Sequence, residues 1–345
     1  MKNILDINLE ALAADLVGAG FEKYRAAQIW NWIYKKGVDD FELMGNVSKK
    51  LRQYLSDNYI INPLKIVTEQ KSQDGTVKWL FALEDGKEIE TVFIPEEKRG
   101  TLCISSQVGC TLNCKFCHTG TQLWQKNLAV SEIIAQIFQA KKSIGEFESE
   151  RKLITNIVFM GMGEPLLNYD NVKDACNIIV ALESFDFSWR KVTVSTSGII
   201  PRIEDMIKDV RVGLAISLHA PNDEIRTEIM PINKKYPLEK LLAVCKEYVT
   251  LTDQKVMMEY VMLDGVNDGL EHAEELIKLV KGIPVKFNLI PFNSWPGCPY
   301  ECSSNNRIHK FSQTLHAAGI EAPIRKTRGE DILAACGQLK SVFGN

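Results

Sequence analysis

The chain has 345 residues, 41 Lys and Arg against 44 Asp and Glu, a formal net charge of −3, 45% apolar residues and 25% charged ones. That composition excludes membrane-spanning, disordered and collagen-like chains, and the near-neutral balance excludes a polybasic wrapper, so any contact with nucleic acid must come from local patches. At roughly 150 residues per domain the length suggests about two domains, or one α/β barrel taking most of it.

Residues 1 to about 60 carry apolar groups at helical spacing: Leu9, Leu12, Leu16 and Phe21, then Ile29, Trp30, Ile33 and Tyr34, then Leu51, Tyr54 and Leu55. Trp30, Trp32 and Tyr34 read as packing groups. Asn62-Pro63 marks a boundary. From Leu64 to Pro95 the pattern turns to strands, with alternation in Thr76–Leu83 and Glu88–Ile94 and turn signals at Asp74-Gly75 and Asp85-Gly86. After Gly100 the rhythm becomes strand then helix. Strands are expected at 102–105, 156–160, 191–195, 212–218, 256–262 and 285–290, with helices near 131–144, 171–182, 201–208, 238–250, 270–281 and 304–318. Six such units without Asn-Gly hairpins imply a parallel sheet, either an incomplete α/β barrel or a doubly wound one.

Nine cysteines, an odd number, are too few for a disulfide scaffold. Asp6, Glu10 and Asp15 within the first apolar stretch argue against a secretory leader, so a reducing cytoplasm is expected. Cys103, Cys110, Cys114 and Cys117 cluster, and the last three have the spacing C-x3-C-x2-C in a loop after the first strand of the strand–helix region. Three thiolates on one short loop can converge on one metal centre. A structural zinc would need a fourth ligand, His118 or His219, and the adjacency of His118 to Cys117 makes joint ligation awkward. A 4Fe-4S cluster normally takes four cysteines, so three leave one iron open for a ligand. The loop resembles the signature of radical S-adenosylmethionine (SAM) enzymes, in which the open iron chelates SAM and an electron cleaves it to an adenosyl radical.

Ligands of a parallel barrel collect at the carboxyl ends of its strands. Those ends here carry Gly161-Met-Gly163-Glu164-Pro165, Ser195-Thr-Ser197-Gly198, Ser217-Leu218-His219 and Pro291-Phe-Asn293. Each alone reads as a strand-end cap, but four polar ends in succession point to a ligand. Together with Ser105-Ser-Gln-Val-Gly-Cys110, Met230-Pro-Ile-Asn233 and Ala334-Ala-Cys-Gly-Gln-Leu339, they resemble the RlmN/Cfr family of RNA methyltransferases from about Phe21 to Val342. Gly163-Glu164-Pro165 and Pro291-Phe-Asn293 favour the carbon-2 members over the Cfr type, which attacks carbon 8.

The resemblance implies an α/β fold, a partial (β/α)6 radical-SAM barrel over 100–345, with a small helical RNA-binding domain over 1–62 and a short β extension over 63–99. It implies one 4Fe-4S cluster on Cys110, Cys114 and Cys117, and contacts to SAM from Gly163, Glu164, Ser195, Ser217, Leu218, His219 and Asn293. It implies two SAM molecules per turnover, with 23S rRNA and tRNA as substrates. An external electron donor such as flavodoxin or ferredoxin and a cytoplasmic, monomeric protein away from membranes complete the expectation. Cys336 would be methylated by one SAM, lose hydrogen to the adenosyl radical from the second, and add to the adenine. Cys103 would then release it through a disulfide, and Glu90 would remove the ring proton. From the residues alone Cys103 and Cys336 read as inert apolar groups and Glu90 as a solvent-facing strand residue.

Two readings compete with the RNA methyltransferase: a radical-SAM enzyme acting on another substrate, and a zinc-stabilised RNA-binding module. Departures from the family pattern are His118, where Ser or Ala is expected, and Lys126, where relatives often carry Arg. Arg325, Lys326 and Arg328 are the best candidates for phosphate contacts, and the adenine must leave its stack to react.

Overall fold

Both the alternating segment before Gly100 and the strand–helix repeats after it enter one nine-stranded sheet in this computed structural model, which describes residues 1–340. The last residues of the expected catalytic range, including Val342, lie outside the described residues. The first three strands are β1 (Lys65–Lys71), β2 (Val77–Ala82) and β3 (Glu88–Pro95), each antiparallel to its neighbour. The remaining six are β4 (Gly100–Cys103), β5 (Asn156–Phe159), β6 (Val192–Thr196), β7 (Gly213–Ser217), β8 (Val256–Met262) and β9 (Val285–Pro291). These six are mutually parallel, and β3 joins them by antiparallel pairing with β4.

Their order across the sheet is their order in the chain. Every crossover therefore steps in the same direction, and right-handed crossovers put all the helices on one face. This makes a partial (β/α)6 barrel and removes the doubly wound alternative, whose strand order must reverse. Intervening helices occupy Val130–Ser143, Tyr169–Val180, Ile200–Asp209, Leu238–Thr252 and Leu270–Leu279, with Asn305–Ala317 following β9. A seventh, Asp223–Ile229, was not foreseen. At seven residues it shows too little periodicity to read, and its local signal is the Asn222 cap, which accepts from Ile225 N–H at 3.0 Å.

The amino-terminal helices Leu9–Gly18, Arg25–Trp30 and Lys49–Asn58 pack into the same apolar core as the barrel. Trp30 meets Tyr34 edge to face at 5.1 Å, and Tyr34 meets Phe185 at 5.0 Å. Asp6 accepts from Ser131 N–H at 2.7 Å, at the start of the helix that follows the cluster loop. No helix among the described residues is long and apolar enough to cross a membrane.

Register decides what the barrel interior presents. Lys78 stands opposite Val92, Val92 opposite Cys103, and Cys103 opposite Val158. Because side chains alternate with a period of two, Glu90 shares this face. Both faces of β3 are covered, and Glu88, Ile89, Glu90, Thr91 and Val92 are all buried. The solvent-facing reading of Glu90 is thus overturned: the carboxylate is 5% exposed.

Candidate active site

Gln107–Val108 pairs antiparallel with Lys126–Asn127 and closes residues 109–125 into a loop at the carboxyl rim of the barrel. Within it Cys110 N–H donates to Gln122 O (3.2 Å), Cys117 N–H to Cys114 O (3.1 Å) and Gly120 N–H to Cys117 O (3.0 Å). A Cβ on Gly120 would stand 2.7 Å from Cys114 O, so this turn closes only on glycine. Lys126 is engaged locally, with Glu132 at 2.8 Å and Asp85 at 3.3 Å.

Cys110, Cys114 and Cys117 line one cavity. Burial raises all three thiols, Cys110 to about 12, and neighbouring thiols raise Cys110 and Cys114 further. Such groups ionise only against a strong cationic centre, which suits metal–thiolate bonding. Three thiols lining one cavity, with no histidine among the described residues beside them there but His219, suit a metal centre that takes cysteine ligands from a single loop.

The same cavity is lined by Gly163, Glu164, Ser195, Ser217, His219 and Cys336. Gly163 has φ +96°, and a Cβ there would lie 2.5 Å from that of Gln107. Glu164 accepts from Leu166 N–H (3.0 Å) and Ser197 N–H (2.8 Å). Burial raises its carboxyl, and those backbone donors pull the other way. His219 sits at φ +57°, the left-handed region, which a non-glycine residue occupies at some strain. Its Nδ1 accepts from Val261 N–H at 3.0 Å, leaving the proton on Nε2. Burial, then the Arg226 charge, depress it to about 3, so the ring is neutral at physiological pH.

Two residues of the expected SAM set, Leu218 and Asn293, are not among those lining this cavity. Leu218 is a fully buried core residue whose N–H donates to Glu259 O at 3.1 Å. Asn293 lines a second cavity and donates to Cys336 O at 3.3 Å. That second cavity, about 530 Å³, lies on the amino-terminal side of the barrel interior and is lined by polar groups including Thr101, Asn156, Glu259, Asn288 and Arg325. Cys336 borders both cavities. Of the three candidates for phosphate contacts only Lys326 is exposed; Arg325 faces the second cavity and Arg328 lies 3.9 Å from Asp74.

Sequence reasoning missed Arg226, which is fully buried. It donates to the carbonyls of Ser197 (2.8 Å), Ser217 (2.9 Å) and Leu218 (3.0 Å) and to Asn233 Oδ1 (2.8 Å), tying together the ends of β6 and β7. Its signal was proximity to Met230-Pro-Ile-Asn233. Replacing it with Met strands three carbonyls at the rim. Arg226→Met is expected to lose on the order of 3 kcal/mol, lowering the thermal midpoint by about 4 °C and abolishing SAM binding; an unchanged midpoint and affinity would refute this role.

The segment carrying Cys336 is held from three sides. His118 N–H donates to Gly337 O (2.7 Å), its Nδ1 contacts Gln338 O (3.1 Å), and its ring stacks on Trp295 at 4.6 Å. Gln338 Nε2 donates to Ser294 O at 2.7 Å. On the third side Glu90 accepts from Lys340 N–H at 2.7 Å and pairs with Lys78 at 2.9 Å. His118, the residue that departs from the expected pattern, is therefore a docking group for this segment.

A model of the radical SAM superfamily matches residues 104–280, and one of the ribosomal RNA large subunit methyltransferase N-terminal domain matches residues 2–61. A protein of Parvibaculum lavamentivorans named dual-specificity RNA methyltransferase RlmN is 53% identical over 331 residues, covering 92% of this chain and 83% of its own. The chain belongs to the RlmN family. An RlmN of Rhodospirillum rubrum is 50% identical, covering 98% of this chain and 80% of its own. The crystal structure of a radical SAM methyltransferase from Sphaerobacter thermophilus superposes with a TM-score of 0.92 at 41% identity, covering 98% of this chain and 99% of that one. RlmN membership sets aside the zinc-stabilised module, and the radical SAM match implies a 4Fe-4S cluster and SAM. The protein is a radical SAM methyltransferase.

Proposed function

We propose that this protein methylates carbon 2 of an adenine in 23S rRNA and in tRNA, carrying the methyl group on Cys336. The observation that carries this reading is that Cys336 borders both the cavity of the three cluster-loop thiols and the polar cavity beneath it. A thiol at that junction can collect a methyl group on one side and deliver it on the other.

Cys110, Cys114 and Cys117 would hold the cluster. Gly163, Glu164, Ser195, Ser217 and His219, which line the cavity of those thiols, would surround SAM, with Leu218 between Ser217 and His219, Asn293 beside Cys336 at its edge, and the Glu164 carboxylate beside the SAM ammonium group. When bound, the cluster and SAM supply a carbon radical by one-electron cleavage of the sulfonium. The chain's own residues do the rest. Carbon 2 of adenine is electron-poor and no nucleophile toward a sulfonium methyl, whereas the Cys336 thiolate is one, so Cys336 takes the methyl first. As a carbon radical, that S-methyl group can add to the ring. Glu90 then accepts the ring proton while the adduct gives up its unpaired electron, which would pass back to the oxidised cluster, so that the ring is closed-shell again. The Cys103 thiolate attacks the Cys336 sulfur; an S–S bond forms as the S–C bond breaks, and the released carbon keeps the electron pair and gains a proton. Glu90, Cys103 and Lys78 share one sheet face, which supports this assignment.

By the same reading, residues 1–62 are the accessory RNA-binding domain, 63–99 the connecting β segment and 100–345 the catalytic domain. Electrons come from an external donor such as flavodoxin or ferredoxin, and the protein works as a cytoplasmic monomer using two SAM molecules per turnover. Mass spectrometry of rRNA and tRNA after anaerobic reaction tests it. Wild type should yield 2-methyladenosine, and Cys336→Ala should drop to background while still cleaving SAM. Methylation by Cys336→Ala, or methylation at carbon 8, would overturn the reading.

A further inference from the structure

Glu90 is fully engaged, and by a part of the chain remote in sequence. Its Oε1 lies 2.9 Å from Lys78 Nζ, with side chains 10% and 6% exposed. Its Oε2 accepts from Lys340 N–H at 2.7 Å. Lys78 Nζ also donates to Leu333 O at 3.3 Å. The neighbouring turn repeats the pattern: Ser72 Oγ donates to Asp331 at 2.6 Å, Gln73 N–H to the same carboxylate at 3.2 Å, and Gly329 N–H to Asp74 at 3.0 Å. The antiparallel extension is thus the dock for the segment bearing Cys336, and Lys78 on it touches both the segment and the Glu90 carboxylate.

We propose that Lys78 is a positioning residue for the proton-transfer step: its ammonium orients the Glu90 carboxylate and, through Leu333, holds it in register with the segment that presents Cys336. The inference rests on the assignment of Glu90 as proton acceptor. In the step concerned, the ring C–H bond of the radical adduct breaks, its electron pair stays with the nucleobase, the unpaired electron would return to the oxidised cluster, and Glu90 becomes a neutral acid. A buried carboxylate stripped of its cation takes up a proton rather than remain charged. Burial already raises Glu90 and Lys78 opposes that. The other groups facing it are Glu88 on its own strand, which raises it, the Lys340 amide from the docked segment, which lowers it, and His118 from the cluster loop, which faces Lys78 and Lys340. Without Lys78 the carboxyl titrates higher, so the acid limb of the proton-transfer rate moves to higher pH.

The test isolates that step. In a Cys103→Ala background the adduct cannot be released, so loss of deuterium from RNA labelled at adenine carbon 2 reports proton removal alone, read by mass spectrometry of the adduct across pH. Lys78→Gln, which keeps bulk and a donor but no charge, should slow deuterium loss at least tenfold near neutral pH and shift its acid limb upward. Lys78→Arg should restore most of the rate. SAM cleavage, which does not pass through Glu90, should be retained in both and reports that they fold. Deuterium loss by Lys78→Gln at the unmodified rate and pH profile would overturn the inference, as would failure of Lys78→Arg to restore any of it. Glu90→Gln in the same background should leave the deuterium in place; if it does not, the assignment of Glu90 itself has failed.

Discussion

Cys110→Ala should come out of oxygen-free purification without iron or brown colour, and its SAM cleavage should fall to background. The three thiols line one cavity within a loop closed by the Gln107–Val108 and Lys126–Asn127 pairing. On the proposed assignment, removing one leaves two thiolates for a cluster that would already have one ligand fewer than usual. The remaining thiols are buried and raised, so without a metal centre they revert to neutral SH groups and the site loses its affinity together with its charge. The loop itself should survive, because it is held by backbone hydrogen bonds. The thermal midpoint of Cys110→Ala should therefore match that of metal-free wild type. Cys302→Ala is the control: this thiol is exposed and does not line the cavity of the three loop thiols, and the variant should keep its iron. Full iron and SAM cleavage in Cys110→Ala would overturn the cluster assignment.

Cys103→Ala should convert a catalyst into a reagent, stopping at no more than one RNA per chain in a covalent adduct visible on denaturing gels. Cys103 is 8% exposed on the strand facing Glu90's strand. Burial, and then Cys336 nearby, push it up to about 12, while the Arg325 charge works against this. Cys336 is raised to about 11 by burial, again opposed by Arg325. Both thiols feel the same guanidinium, and Cys336 raises Cys103; exchange between them requires a thiolate at the attacking sulfur. The double variant Cys103→Ala, Cys336→Ala should form no adduct, and digestion of the single-variant adduct should leave the nucleotide mass on the Cys336 peptide. Clean multiple turnover by Cys103→Ala would remove it from the mechanism.

Much of this architecture was legible in the amino-acid sequence, and for a definite reason. The C-x3-C-x2-C spacing, Gly161–Pro165 and the polar strand ends each lie in one short run of residues, where local geometry restricts what the spacing can mean. Strand and helix periodicity in 156–317 was likewise local, and the six parallel strands and the six helices foreseen fall within a few residues of expectation. The seven-residue helix Asp223–Ile229 and the ribbon closing the cluster loop were too short to leave a period.

Glu90, Lys78, Arg226 and His118 were not legible, because their roles depend on what covers them. Alternation in Glu88-Ile-Glu90-Thr-Val says that two faces differ, but not that both are buried. The cover on the acidic face comes from Leu333 and Lys340, more than 240 residues away. Arg226 carries no signal of its own in the sequence, and only the fold brings three strand-end carbonyls onto it. Sequence alone determined the chemistry available to this protein, through the cysteine loop and the order of its strands. Only the tertiary structure decided which groups meet around Cys336, since hydrogen bonds between segments far apart in the chain leave no periodicity in either of them.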